Sequence, residues 1–322
     1  MKIAVLMSTF NGEHYLEEQL DSIISQNLDS RDCKIEIYIR DDGSSDSTLS
    51  LLKKYSIEYK NISVINDEEN IGVKLSFFKL VKEVDADFYL LSDQDDIWSN
   101  NKIQYFVDIF KNNKTEGMSF GIYSDMWVAD KKGKSTGKLL KKGTSKEPSN
   151  NKYIEFDELM FSNKVTGASF GFDKLAGQKM RLLSEKIVQQ SAMHDEIFAM
   201  VIAATGTLFY SSEPLTYYRQ HEHNVLGYSG IQRLSILDKF SHLKSIINGD
   251  MQLINDVHAI TKVFYTEQTD NIEQLFHAKS IFNQYRYLKI AVRRANSQHY
   301  MQLIILYLLI LMKWNGGKKS YD

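Results

Sequence analysis

Cysteine is almost absent from this chain, which has one such residue, Cys33, among 322. A single cysteine cannot form an internal disulfide, and this composition is typical of proteins in a reducing compartment. We therefore predict a cytoplasmic protein. Cys33 precedes a strand-like run, where a free cysteine is usually a small core or edge residue.

The chain also lacks a strong excess of charge and long apolar runs. Its 39 basic and 41 acidic residues give a net charge of -2, whereas a general nucleic-acid binder is usually clearly basic. No stretch reaches the ~18 apolar residues of a membrane-spanning helix, and the run Met1–Met7 is too short for a signal peptide. These features exclude nucleic acid as a partner and predict a globular protein of one or two domains.

The first part of the chain alternates strand-like and helix-like patterns. Apolar runs predict buried strands at Ile3–Met7 and Phe88–Leu91, and the segments Ile35–Ile39 and Ile62–Ile65 also read as strands. Apolar residues at helical spacing follow each of the first three runs. This alternation predicts an α/β fold with a mainly parallel sheet that is covered by helices on both faces.

Polar loops follow three of these strands directly, at Ser8–Gly12, Asp41–Ser47 and Ser92–Asp96. In open parallel sheets, ligands bind outside the carboxyl ends of the strands. We therefore expect the three loops to converge on one edge and form a binding site.

The loop Ser92–Asp96 contains three carboxylates within four residues. Their mutual repulsion costs stability unless a cation compensates, and carboxylates suit Mg²⁺ or Mn²⁺, which also bind substrate phosphates. The alternative is an acidic turn that caps the helix near Asn100. The place of this loop at a strand end, beside two other polar loops, favours the metal site.

The segment Arg40–Thr48 contains a glycine turn, which lets the backbone approach a ligand closely. A carboxylate at such a turn can accept hydrogen bonds from a nucleobase or a ribose. The alternative is a simple turn and helix cap.

Seven segments in this order resemble family 2 glycosyltransferases of the GT-A fold, most of all the bacterial rhamnosyltransferase branch that builds cell-surface polysaccharides. The segments are Ser8–Gly12, Arg40–Thr48, Asn70–Gly72, Ser92–Trp98, Thr166–Ser169, His194–Glu196 and Tyr218–Gly227. The resemblance covers roughly residues 1–228 and gives the expected fold a name: a Rossmann-like GT-A domain.

The resemblance also implies roles for individual residues. Donor-binding residues would be Ser8, Phe10, Asn11, Asp42, Asn70, Gly72, Asp93 and Arg219. Asp95 would be the principal metal ligand, with His221 reaching the metal or the diphosphate, and Asp195 would be the catalytic base. His194 is expected to be a structural histidine at a helix start or in the core.

These roles imply an inverting, metal-dependent transfer that uses Mg²⁺ or Mn²⁺. The donor would be a nucleotide sugar, dTDP-rhamnose or a UDP-hexose, and the acceptor a glycan or lipid-linked oligosaccharide. The alternatives are a glycoprotein glycan as acceptor, a non-catalytic GT-A-like partner module, and a metal-dependent phosphohydrolase that uses the same carboxylates.

Two regions read differently from the rest of the chain. Residues 130–152 are rich in Lys, Gly and Ser and predict a long loop. From residue 229 to 322 helical patterns dominate, so we predict a boundary near Tyr228 and a C-terminal helical region. Its basic character and its apolar run Leu303–Met312 suit either a buried helix or a helix at the inner face of an anionic membrane. An oligomer contact is the third role open to this region.

Overall fold

The fold is built on an eight-stranded, mainly parallel sheet. A computed structural model describes residues 1–29, 33–66, 69–142, 152–159, 165–222, 252–277 and 283. The strands are β1 (Lys2–Thr9), β2 (Lys34–Asp41), β3 (Ile62–Asn66), β4 (Phe88–Ser92), β5 (Ile97–Trp98), β6 (Ser119–Ser124), β7 (Trp127–Ala129), β8 (Ser135–Leu139), β9 (Lys152–Ile154), β10 (Phe170–Asp173), β11 (Gly206–Ser211) and β12 (Thr216–Arg219).

Ten helices accompany these strands in the described residues. They are α1 (Leu16–Ile24), α2 (Thr48–Glu58), α3 (Val73–Glu83), α4 (Lys102–Asn113), α5 (Phe156–Leu159), α6 (Lys174–Met180), α7 (Glu185–Gln190), α8 (His194–Thr205), α9 (252–263) and α10 (Asp270–His277). A 3-10 turn spans Gly167–Ser169.

The large sheet has the strand order β3-β2-β1-β4-β10-β6-β11-β9. Strands β1 to β4 are mutually parallel, β10 is antiparallel to both of its neighbours, and β9 is antiparallel to β11. The four strands and three helices that the sequence predicts in the first part are confirmed. The structure adds a second sheet, with the order β5-β12-β7-β8.

The long apolar runs of the central strands follow from burial of both faces of the sheet. In β1, Ile3 and Val5 pack into a core beneath α1, α2 and α4, while Ala4 and Leu6 pack into a core with α3, α6 and α8. Because neither face meets water, the middle positions of such a strand, here Ile3–Met7, are all apolar. This packing fixes the strand ends on which the polar loops stand.

The predicted loop at 130–152 is wrong in its first part, where the chain forms a hairpin. Strand β8 pairs antiparallel with β7. The turn forms because the Asp130 carboxylate accepts hydrogen bonds from the backbone of Lys132 and Lys134, and Gly133 adopts a φ of 76°. Lysines and glycines in this segment therefore belong to an exposed strand and its turns.

The first described part of the C-terminal region packs on the main core. Leu253, Ile254, Val257 and Ile260 of α9 are buried in the same cluster as α8. The predicted boundary near Tyr228 and the run Leu303–Met312 lie outside the described residues, as do most of the residues proposed for a membrane or oligomer contact. Within the described part of the chain, no helix is long and apolar enough to cross a membrane.

The packing of α9 predicts unequal effects of two matched substitutions. Val257 is fully buried and Val263 is 37% exposed on the same helix. We expect Val257→Ala to lower the free energy of unfolding by about 1–3 kcal/mol, because two buried methyl groups are lost and a cavity is left. Val263→Ala should have a clearly smaller effect in the same urea titration. Equal effects would contradict the placement of α9 in the core.

Candidate active site

A cleft of about 410 Å³ lies at the carboxyl ends of β1, β2 and β4, where the polar loops were expected to converge. Eight of the residues predicted for the site line it: Ser8, Phe10, Asp42, Asn70, Gly72, Asp93, Asp95 and Asp195. The remaining lining residues are Val73, Gln94, Thr166, Gly167, Met193, His194 and Tyr218. The convergence on one edge is therefore as predicted.

One wall of the cleft is shaped by the Asp42 carboxylate. It accepts hydrogen bonds from the backbone of Ile71 at 2.8 Å and Gly72 at 2.9 Å, and from Arg40 Nη1 at 2.5 Å. Gly72 has a φ of 81°, a left-handed conformation that glycine adopts without strain. Asp42 thus holds the turn that contains Asn70 and Gly72 at the start of α3.

A second wall carries the acid-rich loop and its histidine partner. His221 Nε2 lies 2.7 Å from Asp95 Oδ2, although the two residues are 126 positions apart. The imidazole of His221 stacks on Tyr15, with ring centroids 4.6 Å apart. The two residues predicted as metal ligands are therefore in contact. They also border a second, larger groove that shares Phe10 and Gln94 with the cleft.

The Asp195 carboxylate is held at the N-terminus of α8 on the side of the cleft formed by Thr166 and Gly167. It is 7% exposed. Its Oδ2 accepts a hydrogen bond from Gly167 N and its Oδ1 one from Glu196 N, both at 2.8 Å. These backbone donors fix the orientation of the carboxylate while leaving it on the surface of the cleft.

Comparison with known proteins agrees with this geometry. The sequence model of "Glycosyl transferase family 2" matches residues 4–174, more than half of the chain. The chain belongs to this family. Its matched part includes β1 to β4, with Asp42, Asp93 and Asp95, while Asp195 and His221 lie beyond it.

Individual relatives of this glycosyltransferase are named for the sugars that they transfer. The chain is 29% identical over 230 residues to a dTDP-rhamnosyl transferase, RfbG, from Shigella flexneri. The matched region covers 69% of this chain and 73% of the relative. The chain is also 29% identical over 120 residues to a poly(ribitol-phosphate) beta-glucosyltransferase of Bacillus spizizenii, covering 36% of this chain but only 18% of the relative.

Solved structures establish the fold. The crystal structure of residues 1–349 of S. aureus TarS in complex with UDP-GlcNAc superposes with a TM-score of 0.58 at 17% identity, over 97% of this chain and 88% of that one. The predicted GT-A fold is therefore confirmed. At this level of identity the likeness concerns the fold alone.

Arg219 and Asn11, which the sequence predicts as donor-binding residues, are not among the residues that line the cleft. The Arg219 guanidinium is buried behind the cleft wall, where its Nε donates to the Asp95 carbonyl at 2.8 Å and its Nη2 pairs with Glu18. Asn11 has a φ of 47° and accepts a hydrogen bond from Ser45 N, and it lines the second groove. Both residues hold the backbone of the loops around the site.

Asp96 does not cap a helix, contrary to the alternative considered for the acidic loop. The cap position of α4 is Asn101, and Asp96 is fully buried. Its Oδ1 accepts a hydrogen bond from Arg219 N at 3.1 Å, and burial beside Asp95 and Asp93 raises its pKa well above the usual range. The hydrogen bond between Asp96 and Arg219 thus joins the acidic loop to β12. Arg219 lies two residues before His221 in the chain.

Three residues important to the site were not predicted from the sequence. Gln94 joins two loops, since its side chain accepts from Phe10 N at 2.9 Å and donates to Phe10 O at 3.0 Å. Lys102 is fully buried, donates to Ala168 O at 2.7 Å and to Thr216 Oγ1 at 2.9 Å, and has a pKa lowered well below its usual range by burial. Tyr218 lines the cleft. Gln94 and Tyr218 carried a signal, since they lie in the family-like segments Ser92–Trp98 and Tyr218–Gly227, whereas Lys102 carried none.

Asp93 gives the site a charge that depends on pH. Burial, with Asp95 and Asp195 nearby, raises its pKa to about 7, compared with ~3.9 for an unfolded aspartate. The native state keeps this proton at pH values where the unfolded chain has lost it. The residue therefore destabilises the fold increasingly as the pH rises from about 4 to about 7.

We expect Asp93→Asn to raise the melting temperature more at pH 8 than at pH 5, in the absence of divalent cations, because the neutral amide removes this penalty. Differential scanning fluorimetry measures the effect. Asp85→Asn is the control, since this carboxylate pairs with Lys174 on the exposed surface away from the cleft. A gain from Asp93→Asn that is equal at both pH values would contradict the assignment.

Proposed function

We propose that this glycosyltransferase moves a sugar, with inversion, from a nucleoside-diphosphate donor to a hydroxyl group of a glycan or lipid-linked oligosaccharide in cell-surface polysaccharide synthesis. The donor is dTDP-rhamnose or a UDP-hexose. One observation carries the proposal: a single cleft has the nucleoside-side turn of Asp42 and Gly72, the Asp95 carboxylate and the Asp195 carboxylate on its walls, and His221 contacts Asp95 from the adjoining groove. The similarity to a dTDP-rhamnosyl transferase supports the donor class.

The residues of the second wall fit a divalent cation. Asp95 offers a carboxylate oxygen and His221 an imidazole nitrogen, and the carboxyl groups of Asp93 and Asp96 lie close to Asp95. No group of three or more His, Cys, Asp or Glu side chains suited to a metal exists in the described residues. In this proposal Asp95 and His221 would hold Mg²⁺ or Mn²⁺ together with the donor diphosphate. The bound cation would supply positive charge at the leaving group.

Asp195 has the place and the orientation of a general base. Its carboxylate takes the proton of the acceptor hydroxyl, whose oxygen forms a bond to the anomeric carbon of the donor sugar. The bond from that carbon to the diphosphate oxygen breaks, and its electron pair leaves with the nucleoside diphosphate. Gly167 N–H keeps the carboxylate in position, because it donates to Oδ2.

Replacement of Asp195 by Asn separates catalysis from donor binding. We expect transfer to fall by ~10²–10⁴-fold, while the affinity for UDP or dTDP stays within about twofold, because an uncharged amide of the same shape cannot take the proton. Transfer is measured with a panel of nucleotide sugars and affinity by calorimetry, with Asp85→Asn as the control. Wild-type turnover in Asp195→Asn would remove Asp195 as the base.

Replacement of Asp95 by Asn tests the metal site. We expect wild-type protein to bind UDP or dTDP more tightly with Mn²⁺ than with EDTA, and Asp95→Asn to lose this difference because a neutral amide is a weak cation ligand. The control is Asp85→Asn, because this carboxylate pairs with Lys174 on the exposed surface away from the cleft. An undiminished effect of Mn²⁺ in Asp95→Asn would refute the assignment.

A further inference from the structure

His194 is a buried imidazole on the wall of the cleft that the proposed mechanism does not use. It is the first residue of α8, is 2% exposed and lines the cleft beside Thr166 and Met193. Its ring stacks face to face on Phe77, with centroids 4.3 Å apart, and meets Phe198 edge on. The ring is thus locked in one position by apolar neighbours.

Neither nitrogen of this ring has a hydrogen-bond partner within the described residues. The neighbouring cleft residues differ in this respect, since Asp195 and Asp42 have two or more donors each. A buried polar atom without a partner costs free energy, and it is a reason to look for a ligand that satisfies it. The rings of Phe77 and Phe198 have no hydrogen-bonding groups, so a partner for these nitrogens would have to come from the cleft.

The form of the imidazole restricts the ligand. Burial lowers its pKa, with Lys74 acting in the same direction and Asp195 against it, and the positive end of α8 also disfavours a cation. A neutral imidazole has one N–H donor and one acceptor nitrogen. A hydroxyl group, which both donates and accepts, matches it, whereas a phosphate would meet the negative charge of Asp195.

Nε2 lies against residue 167, and only a glycine there keeps a side chain out of the approach to it. A Cβ atom placed on Gly167 would lie 3.1 Å from His194 Nε2 and 3.7 Å from Asp195 Oδ2. The imidazole and the proposed base therefore face the same space. His194 packs on α3, whose first turn begins at the nucleoside wall of Gly72, so it lies on the donor side of this space.

We propose that His194 Nε2 hydrogen-bonds a hydroxyl group of the transferred sugar and thereby selects the donor sugar. This inference rests on the proposed function, since it assumes a nucleotide sugar in the cleft. The proposed contact concerns only the sugar of the donor, and other residues would bind the nucleoside diphosphate.

Two variants of His194 test this contact. His194→Phe keeps the aromatic stack but removes both nitrogens, and His194→Gln supplies an amide that donates and accepts near the position of Nε2. Calorimetry compares UDP with UDP-glucose and dTDP with dTDP-rhamnose, using the pair that the wild type binds. We expect His194→Phe to bind the nucleotide sugar about tenfold more weakly, the value of one hydrogen bond, and the nucleoside diphosphate as the wild type does. His194→Gln should recover most of the loss.

The outcomes separate this inference from the proposed function. Unchanged affinity of His194→Phe for the nucleotide sugar would overturn the contact, and so would equal losses for the sugar nucleotide and the free diphosphate, which indicate a structural role. A wild type that binds no nucleotide sugar would overturn the proposed function itself. Should His194→Phe fail to fold, Gly167→Ala replaces it, because its methyl group crowds Nε2 and should weaken nucleotide-sugar binding selectively.

Discussion

The concentration of carboxylates at the end of β4 is the constraint on which the rest of the site depends. Asp93, Asp95 and Asp96 repel one another, and burial raises the pKa of the first and the last. The fold offsets this repulsion with few direct ion pairs. Instead, a fully buried Lys102 lies behind the loop, and the backbone and guanidinium of Arg219 bind the loop from the other side. Asp93 and Asp95 remain on the cleft side of the loop, where the proposed cation and diphosphate would lie.

The small second sheet explains how distant parts of the chain reach this loop. Strand β12 pairs with β5, directly after the acidic loop, and with β7, so that Arg219 lies behind the loop and His221 beside Asp95. On the opposite wall, α8 carries His194 and Asp195. Helix α9 supports the turn before α8, because Asp256 accepts a hydrogen bond from Ala192 N and Gln252 donates one to Gln190 O. Residues from four separate parts of the chain thus meet around one cleft.

Membership of glycosyl transferase family 2 and the GT-A fold are consistent with the different roles that we propose for these walls. In the proposed function, one wall would position the nucleoside, one would face the leaving group, and one carries Asp195, the proposed base, beside the His194 imidazole. The His194 contact would make the last wall responsible for two tasks, the selection of the sugar and the activation of the acceptor. Both tasks need a carboxylate and a ring held without freedom of rotation, which the helix start and the phenylalanine stack provide.

The sequence by itself determined the alternation of strands and helices, because a sheet buried on both faces requires continuous apolar runs at the strands. It also determined which loops would meet, since parallel strands end at one edge. Only the tertiary structure decided how the individual side chains are used. Arg219 and Asn11 hold loops, Asp96 joins the acidic loop to β12, and Lys102 is buried although a lysine on a helix predicts exposure. These roles depend on partners about 30 to 120 positions away, and local patterns of residue type carry no information about such contacts.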